Sequence, residues 1–505
     1  MAKIKYKDRL KVLFVTSELN PFAKNGGLAD VVGHLPKTLA KDFQIEIRIV
    51  LPRYKCIDLE KTGAVLIANN LKIKMPDNRT WEKISVWKVF LPETTIPVYL
   101  IDCPEFLPGE GDLYIQQTPS RFTGVPFFHL VFLSKVALEF IRVQDWQPHV
   151  IHYHDGYEAM IAKWLKILYK NNDFYKDIAN ILTIHNLSAQ PNVKLSAIKQ
   201  LGLRRRDFKE SRKYTNPGYA NFTAEAIINA DMINTVSPTY AKEILTKKRG
   251  SGLHTLLRSR KSRFTGILNG IDYSDFDPRT NDDTPVKYWI DSLDKKVENK
   301  LFLQKKFGLT ESADLPLICV ISRITPQKGL DLIGDVLKNL IDMGAQFVIL
   351  GSGDEKIEKI FIKAEKKHPE AIEAEMEFDA HFAQTIYAGA DMLLMPSRFE
   401  PCGLSQIIAM RFGTIPIVRK TGGLADTVRD GRTGFVFKNY DKGSFLEAIS
   451  RAVDIYYNQK DHWRKMQITA MKKDFSWKAS AKKYIWLYKK AIRFHRESLK
   501  DESAK

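Results

Sequence analysis

Cysteine is scarce in this chain: four in 505 residues, Cys56, Cys103, Cys319 and Cys402, scattered and without a C-x-x-C pair. That spacing suggests neither a disulfide framework nor a cysteine zinc site, and it fits a reducing compartment. Long hydrophobic runs are missing too. The longest apolar stretch, Phe127 to Ile141, is interrupted by His129, Ser134, Lys135 and Glu139. It falls short of the roughly 20 apolar residues of a membrane span and reads as a buried helix. The N-terminus, Met1 to Lys11, is basic but enters a strand-like run without the apolar region of a secretory signal, so the cytoplasm is expected and no membrane partner. A Walker lysine motif is absent, and Gly351-Ser352-Gly353 lacks the third glycine of a dinucleotide fingerprint. Acidic residues are outnumbered, 59 to 78, leaving a formal charge of +19. Such a charge raises the question of nucleic acid, yet no binding motif accompanies it. Its densest clusters, Lys199 to Lys213, Lys242 to Arg263 and Lys482 to Arg496, alternate with apolar residues at helical spacing and read as solvated faces. No nucleic-acid partner is expected.

What is present is a globular composition, 44% hydrophobic and 27% charged, in a chain too long for one ordinary core. Leu10 to Thr16 is a continuous β-branched and apolar run, the pattern of a strand buried on both faces of a parallel sheet. In the helix expected after it, Leu28, Val31, Val32, Leu35 and Leu39 make one apolar face. Further strand-like runs are Ile45 to Leu51, Pro97 to Ile101, Val150 to Tyr153, Ala179 to Ile184 and Met232 to Val236. The alternation restarts after an irregular stretch between Asp272 and Lys300, with strands at Leu315 to Ile321, Gln346 to Leu350, Met392 to Met395 and Thr414 to Val418, and a helix from about Gly329. The expectation is α/β: two doubly wound parallel sheets, with domains at 1–272 and 273–475. A closing helix over 476–505 carries Ala481, Tyr484, Ile485, Tyr488 and Ile492 on one face, packs across the domains and frays over its last dozen residues.

The most informative feature is a repeated loop: Lys24-Asn-Gly-Gly-Leu-Ala-Asp and Lys420-Thr-Gly-Gly-Leu-Ala-Asp, each after a strand and opening a helix. Paired glycines let the backbone approach a ligand closely, and the first helical turn attracts an anion. Ligands of open α/β sheets bind beyond the carboxyl ends of the strands, so the two loops are expected to border one cleft. Arg323 and Lys328 lie at a strand end and in the loop after it. Cations there suit a leaving group whose negative charge grows as a bond breaks. Glu400-Pro401-Cys402-Gly403-Leu404-Ser405 opens another helix, with apolar Leu404, Ile407 and Ile408 and a stop at Gly413. His152, His154 and Asp155 form an H-x-H-D pattern on one strand without further metal ligands, and Asp275-x-Asp277 sits in a loop where a turn is the better reading than a metal site.

In order, KNGGLAD, HYHDG, TIHNL, LNGID, ISRITPQKG, PSRFEPCGLSQ and RKTGGLAD resemble bacterial glycogen synthases and plant starch synthases over most of the chain. The resemblance implies the GT-B fold, two Rossmann-like domains facing across a cleft, and transfer of glucose from ADP-glucose or UDP-glucose to the nonreducing end of an α-1,4-glucan with retention. It implies Arg323 and Lys328 on the leaving diphosphate, Glu400 on the donor sugar, and His185 and Asn186 at the reacting centre. Asp155 falls near the sugar subsites, and Asn269 with Gly270 near the cleft. Donor contacts are expected from Lys24, Gly26, Gly27 and Asp30 in one loop, and from Cys402, Gly403, Leu404, Ser405, Thr421, Gly422 and Gly423. Lys420 is expected to be solvated. No metal or other cofactor is expected. Two departures stand out. Ile408 occupies the place of a second glutamate common in related retaining transferases, as in glycogen synthases generally, and Gly156 replaces the usual tryptophan after Asp155. A GT-B enzyme with another acceptor, and a non-catalytic glucan- or sugar-nucleotide-binding protein, are the alternatives.

Overall fold

The computed structural model describes residues 9–75, 80–106, 113–114, 127–377 and 379–503, so the first eight residues of the basic N-terminal segment lie outside the described residues. The chain divides into two compact units: Met1–Val236 with Ala241–Ile267 and Trp477–Lys505, and Ser237–Tyr240 with Leu268–Ser476. The break falls just ahead of the irregular stretch that marks it in the sequence.

The strands of the first unit are β1 (Lys11–Val15), β2 (Glu46–Pro52), β3 (Val65–Lys74), β4 (Trp81–Phe90), β5 (Pro97–Asp102), β6 (Val150–His154), β7 (Ala179–Ile184), β8 (Asn192–Lys194), β9 (Tyr219–Asn221), β10 (Met232–Thr235) and β11 (Phe264–Gly266). All but β8 and β9, which pair with each other, lie in one nine-stranded sheet of order β11-β10-β7-β6-β1-β2-β5-β4-β3. From β11 to β5 the neighbours are parallel; β5, β4 and β3 are antiparallel. Helices pack on the sheet through apolar stripes: Leu28, Val31, Val32, Leu35 and Leu39 of Gly27–Phe43 are all buried. The helix Phe128–Val143 is buried almost throughout, with Lys135 neutralised by Glu139 at 2.8 Å. The β3–β4 hairpin has no buried run to announce it: it is an edge whose Val65, Leu66, Ile67 and Trp81 are exposed.

The second unit holds β12 (Leu317–Ile321), β13 (Gln346–Leu350), β14 (Ile372–Glu375), β15 (Met392–Met395), β16 (Ile415–Arg419) and β17 (Phe435–Phe437) in one wholly parallel sheet, β14-β13-β12-β15-β16-β17. The helix expected from Gly329 is two short ones, Leu330–Gly334 and Leu337–Asp342.

The terminal helix, Trp477–Ser503, groups with the first unit, and its Ala481, Tyr484, Tyr488 and Ile492 join that unit's core. Two of its tyrosines satisfy buried polar groups of the sheet: Tyr488 with His152 at 3.2 Å and Tyr484 with Asn234 at 3.1 Å. The helix stays regular where fraying was expected. His495 is tied to Asp231 at 3.1 Å, and Arg263 reaches Ser498 at 3.1 Å.

Candidate active site

Each sheet reverses its direction of winding once, between β1 and β6 in the first unit and between β12 and β15 in the second. At such a switch point the loops leaving two adjacent strands part and open a crevice at the carboxyl edge. The loops leaving these four strands carry most of the residues singled out in the sequence.

In the first unit, the loop after β1 leads to the helix Gly27–Phe43, with Gly26 as its uncapped N-cap. Lys24 pairs with Asp30 across the helix start at 2.7 Å, and half of the lysine side chain remains exposed. The sequence reading left out Glu18. Its buried carboxylate accepts the amides of Asn25 at 2.8 Å and Gly26 at 2.7 Å, and the Tyr114 hydroxyl on its other oxygen. The loop amides are thus partly spent on an internal anion, which shapes the turn. The sequence signal was an acid placed between a buried strand and the glycines.

After β6, Asp155 adopts a left-handed conformation, φ 53°, uncommon for a non-glycine residue. It turns its carboxylate onto the amides leaving β7, His185 at 2.7 Å and Asn186 at 3.4 Å. Burial lifts its pKa to about 7 against these hydrogen bonds. A chain of imidazoles lies behind it. His152 bonds the Thr183 hydroxyl at 2.7 Å, and His154 Nδ1 meets His185 Nε2 at 3.1 Å. Burial pushes His152 and His185 down to about 3 and holds His154 well below its ordinary value, so all three rings are neutral near pH 7. With Nε2 turned to His154, His185 Nδ1 has no hydrogen-bond partner among the described residues. The glycine after Asp155 is forced by packing: a Cβ on Gly156 would lie 2.3 Å from the Thr223 hydroxyl and 2.9 Å from its amide. A tryptophan could not stand there without moving the helix that begins at Phe222.

In the second unit, Arg323 and Lys328 follow β12, and Glu400 follows β15. Arg323 is exposed, with no side-chain partner among the described residues. Lys328 reaches the buried Glu400 carboxylate at 2.6 Å, and the Ser397 hydroxyl donates to the same oxygen at 3.1 Å. The two loops are also stitched by backbone, Arg398 N–H to the Gln327 carbonyl at 2.8 Å. Asn269 is buried, and its side-chain oxygen has no partner among the described residues. The Ser405 hydroxyl donates to the Ile321 carbonyl at 3.3 Å, at the start of the helix Ser405–Arg411, where Leu404 provides no side-chain cap.

The two Gly-Gly loops differ in what the glycines do. A Cβ on Gly27 would meet nothing within 4 Å, and one on Gly26 only Glu18 oxygens at 4.0 Å. In the second loop, a Cβ on Gly422 would lie 1.8 Å from the Glu400 carbonyl oxygen, and one on Gly423 2.0 Å from that of Cys402. Gly423 also donates its amide to the Glu400 carbonyl at 3.1 Å. That amide is therefore engaged within the protein, and the second loop's glycines serve as the seat of the Glu400-Pro401-Cys402 segment. Lys420 is exposed.

Asp277 is buried and held by Arg411 and Arg279, each at 2.6 Å, which makes its D-x-D a structural ion cluster. Among the described residues no group of three or more His, Cys, Asp or Glu side chains could hold a metal ion, and no helix is long and apolar enough to cross a membrane.

Two doubly wound units, with cations and carboxylates at their switch points, define a GT-B glycosyltransferase. Residues 11–259 match the family described as starch synthase catalytic domain, and residues 303–468 match glycosyl transferases group 1. The chain is 42% identical to a glycogen synthase of Thermosipho melanesiensis over 96% of its own length and 99% of that protein. It is 39% identical to a glycogen synthase of Thermotoga maritima over 96% and 99%. Among solved structures, the catalytic domain of starch synthase IV from Arabidopsis thaliana, bound to ADP and acarbose, matches with TM-score 0.88 and 31% identity, over 96% of this chain and 100% of that one. A sucrose-phosphate synthase from Thermosynechococcus elongatus, at 15% identity and TM-score 0.58, shares the fold. The chain belongs to the glycogen and starch synthase family and is a glucosyltransferase.

Proposed function

We propose that the protein elongates an α-1,4-glucan in the cytoplasm by transferring glucose, with retention, from ADP-glucose to the 4-hydroxyl of the nonreducing end. The observation that carries this reading is the group after β12 and β15: an exposed Arg323, without a side-chain partner among the described residues, beside a Lys328 anchored to buried Glu400. Held cations stabilise a departing diphosphate more than the bound donor, because its charge grows as the C1–O bond breaks. Glu400 accepts hydroxyls of the transferred sugar. His185 and Asn186, oriented through Asp155, contact that sugar at the reacting centre, and Lys24 supports the donor. Asn269, with its unpartnered oxygen, and the Cys402 to Ser405 and Thr421 to Gly423 segments shape the donor pocket.

No carboxylate is placed as a nucleophile by the residues above. The acceptor oxygen therefore attacks on the face the diphosphate leaves: the new C1–O4 bond forms as the C1–O bond to phosphate breaks, and the acceptor proton passes to the leaving phosphate oxygen. No metal is required. The relative solved with ADP and acarbose supports an adenine donor and an oligosaccharide acceptor.

The test is nucleoside diphosphate release with glycogen as acceptor, comparing ADP-glucose with UDP-glucose. Higher kcat/KM with ADP-glucose is expected, and a preference for UDP-glucose overturns the donor assignment. Equal turnover on small glycosides would return the acceptor to the wider GT-B class, and binding without turnover would favour a non-catalytic protein.

A further inference from the structure

One stretch singled out in the sequence has no part in the proposed transfer: Gly351-Ser352-Gly353, short of a dinucleotide fingerprint by its third glycine. It leaves β13, which runs parallel to β12 with Leu350 beside Ile321. The pairing does not stop at the strand ends. Ser322 N–H donates to the Leu350 carbonyl at 3.1 Å, Ile324 N–H to the Ser352 carbonyl at 2.8 Å, and Asp354 N–H to the Ile324 carbonyl at 2.8 Å. The residue between Ser322 and Ile324 is Arg323. Its neighbours on both sides are thus laced to the glycine loop.

Glycine in such a place marks the close approach of a ligand or of another backbone. The surroundings of these two decide for backbone. The Gly351 amide donates to the Glu375 carbonyl at 3.0 Å and the Gly353 amide to Glu358 Oε1 at 2.6 Å, so both are engaged within the protein. A Cβ on Gly351 would lie 1.9 Å from the Ser322 carbonyl oxygen, and one on Gly353 2.1 Å from that of Ile324. Their φ angles, 156° and 155°, are also ones that residues with a side chain rarely adopt. The space a side chain would take is filled by the peptides around Arg323.

A plainer account is that the glycines only let two strands pair. Yet β12 and β13 pair through five positions each without a glycine, so pairing alone does not call for one. What sets this place apart is how Arg323 is held. Lys328 has its bond to Glu400, and its loop has Arg398 N–H on the Gln327 carbonyl. Arg323 has no side-chain partner among the described residues, so its placement rests on its backbone. A cation is preorganised for a leaving group only if something holds it there.

We propose that Gly351 and Gly353 are positioning residues for Arg323: bare of side chains, they seat the backbone of residues 322–324 where the guanidinium meets the leaving diphosphate. This rests on the leaving-group reading of Arg323. A methyl on either glycine must push a carbonyl oxygen back by roughly 1 Å, and a displacement of that size can cost about 10²-fold in rate.

The experiment is a double-mutant cycle on the full chain: Gly351→Ala, Gly353→Ala and Glu358→Ala, each alone and with Arg323→Gln, read as kcat and donor KM with ADP-glucose and glycogen. Alone, each glycine variant should lose about tenfold or more in kcat, with donor KM changed by less than about threefold. In the Arg323→Gln background the same change should cost less than about twofold, because a residue acting through Arg323 has nothing left to place. A general loosening of the unit would cost the same factor in both backgrounds. That result overturns the proposal, as does parental kcat in both glycine variants or a loss carried by KM. Glu358→Ala releases the Gly353 amide without adding bulk and should lower kcat about threefold, again only where Arg323 is present. It decides the matter if thermal melts show neither glycine variant folded; a fall in both backgrounds, or in neither, then overturns the proposal. Parental turnover of Arg323→Gln alone strikes the leaving-group reading and the proposal with it, whereas an impaired Arg323→Gln with additive glycine effects strikes only the proposal.

Discussion

Arg323 and Lys328 are both cations beside one switch point, yet replacing each by glutamine should have separable effects. Arg323 is exposed and has no side-chain partner among the described residues. Its loss should leave stability within about 0.5 kcal/mol, as for other surface changes. Lys328 is 18% exposed and bonds a Glu400 side chain that is 6% exposed. Without it, a buried carboxylate keeps, among the described residues, only the Ser397 hydroxyl. Breaking a fully buried pair costs about 3–5 kcal/mol; partial exposure of the lysine and the replacement amide reduce this to roughly 1–3 kcal/mol. For a unit of this size that corresponds to about 2–12 °C in the calorimetric transition of the second unit. Both variants should lose turnover, by roughly 10²–10³ in kcat if each stabilises the leaving diphosphate as one preorganised donor does. Scanning calorimetry paired with nucleoside diphosphate release separates the two effects. Equal melting of the two variants would refute the ion-pair argument. Turnover within a few fold of the parent in either would remove that cation from the leaving group.

The other consequences are more local. Gly422→Ala places a methyl 1.8 Å from the Glu400 carbonyl oxygen at φ +44°, so the Glu400 segment must shift; kcat should fall at least tenfold, and a variant with parental kinetics would show that the loop yields freely. His152 and His185, held near pKa 3, and His154, held well below its ordinary value, stay neutral in the fold while the unfolded chain takes up protons below about pH 6.5. Each therefore subtracts about 1.4 kcal/mol per pH unit as pH falls below that value. Asp155, raised to about 7, has the opposite sign: its contribution is full below the unfolded carboxyl value and is lost as pH rises through 7, offsetting about one histidine. A urea-unfolding midpoint for the first unit that stays level from pH 6.5 to 5 would contradict this. EDTA treatment should leave the rate unchanged; loss of activity restored by magnesium would end the metal-free mechanism. Asp277→Asn should destabilise the second unit by about 1–3 kcal/mol, since Arg411 loses its carboxylate, while leaving metal dependence as in the parent.

Much of this protein is written in short stretches of its sequence. Buried runs such as Ala179–Ile184, Gln346–Leu350 and Met392–Met395 matched strands to the residue, because a strand covered on both faces must be apolar throughout. The β3–β4 edge, exposed over much of its length, had no such constraint and passed unnoticed. The motif residues were legible because they leave the carboxyl ends of those strands. What each does there was decided at longer range. Lys328 and Glu400 are 72 residues apart, and His152 and Tyr488 are 336 apart; periodicity reports which way a side chain faces, not which distant group satisfies it. The same limit separated the two Gly-Gly loops, alike in sequence, one open around its glycines and the other closed over the backbone of Glu400 and Cys402. It also made Gly351-Ser352-Gly353 look like a broken ligand fingerprint until the pairing of β12 with β13 brought it against the backbone around Arg323. The sequence determined the elements and the ends of strands where chemistry would sit. The tertiary structure decided the partners, because burial makes a polar group depend on whatever the fold brings beside it.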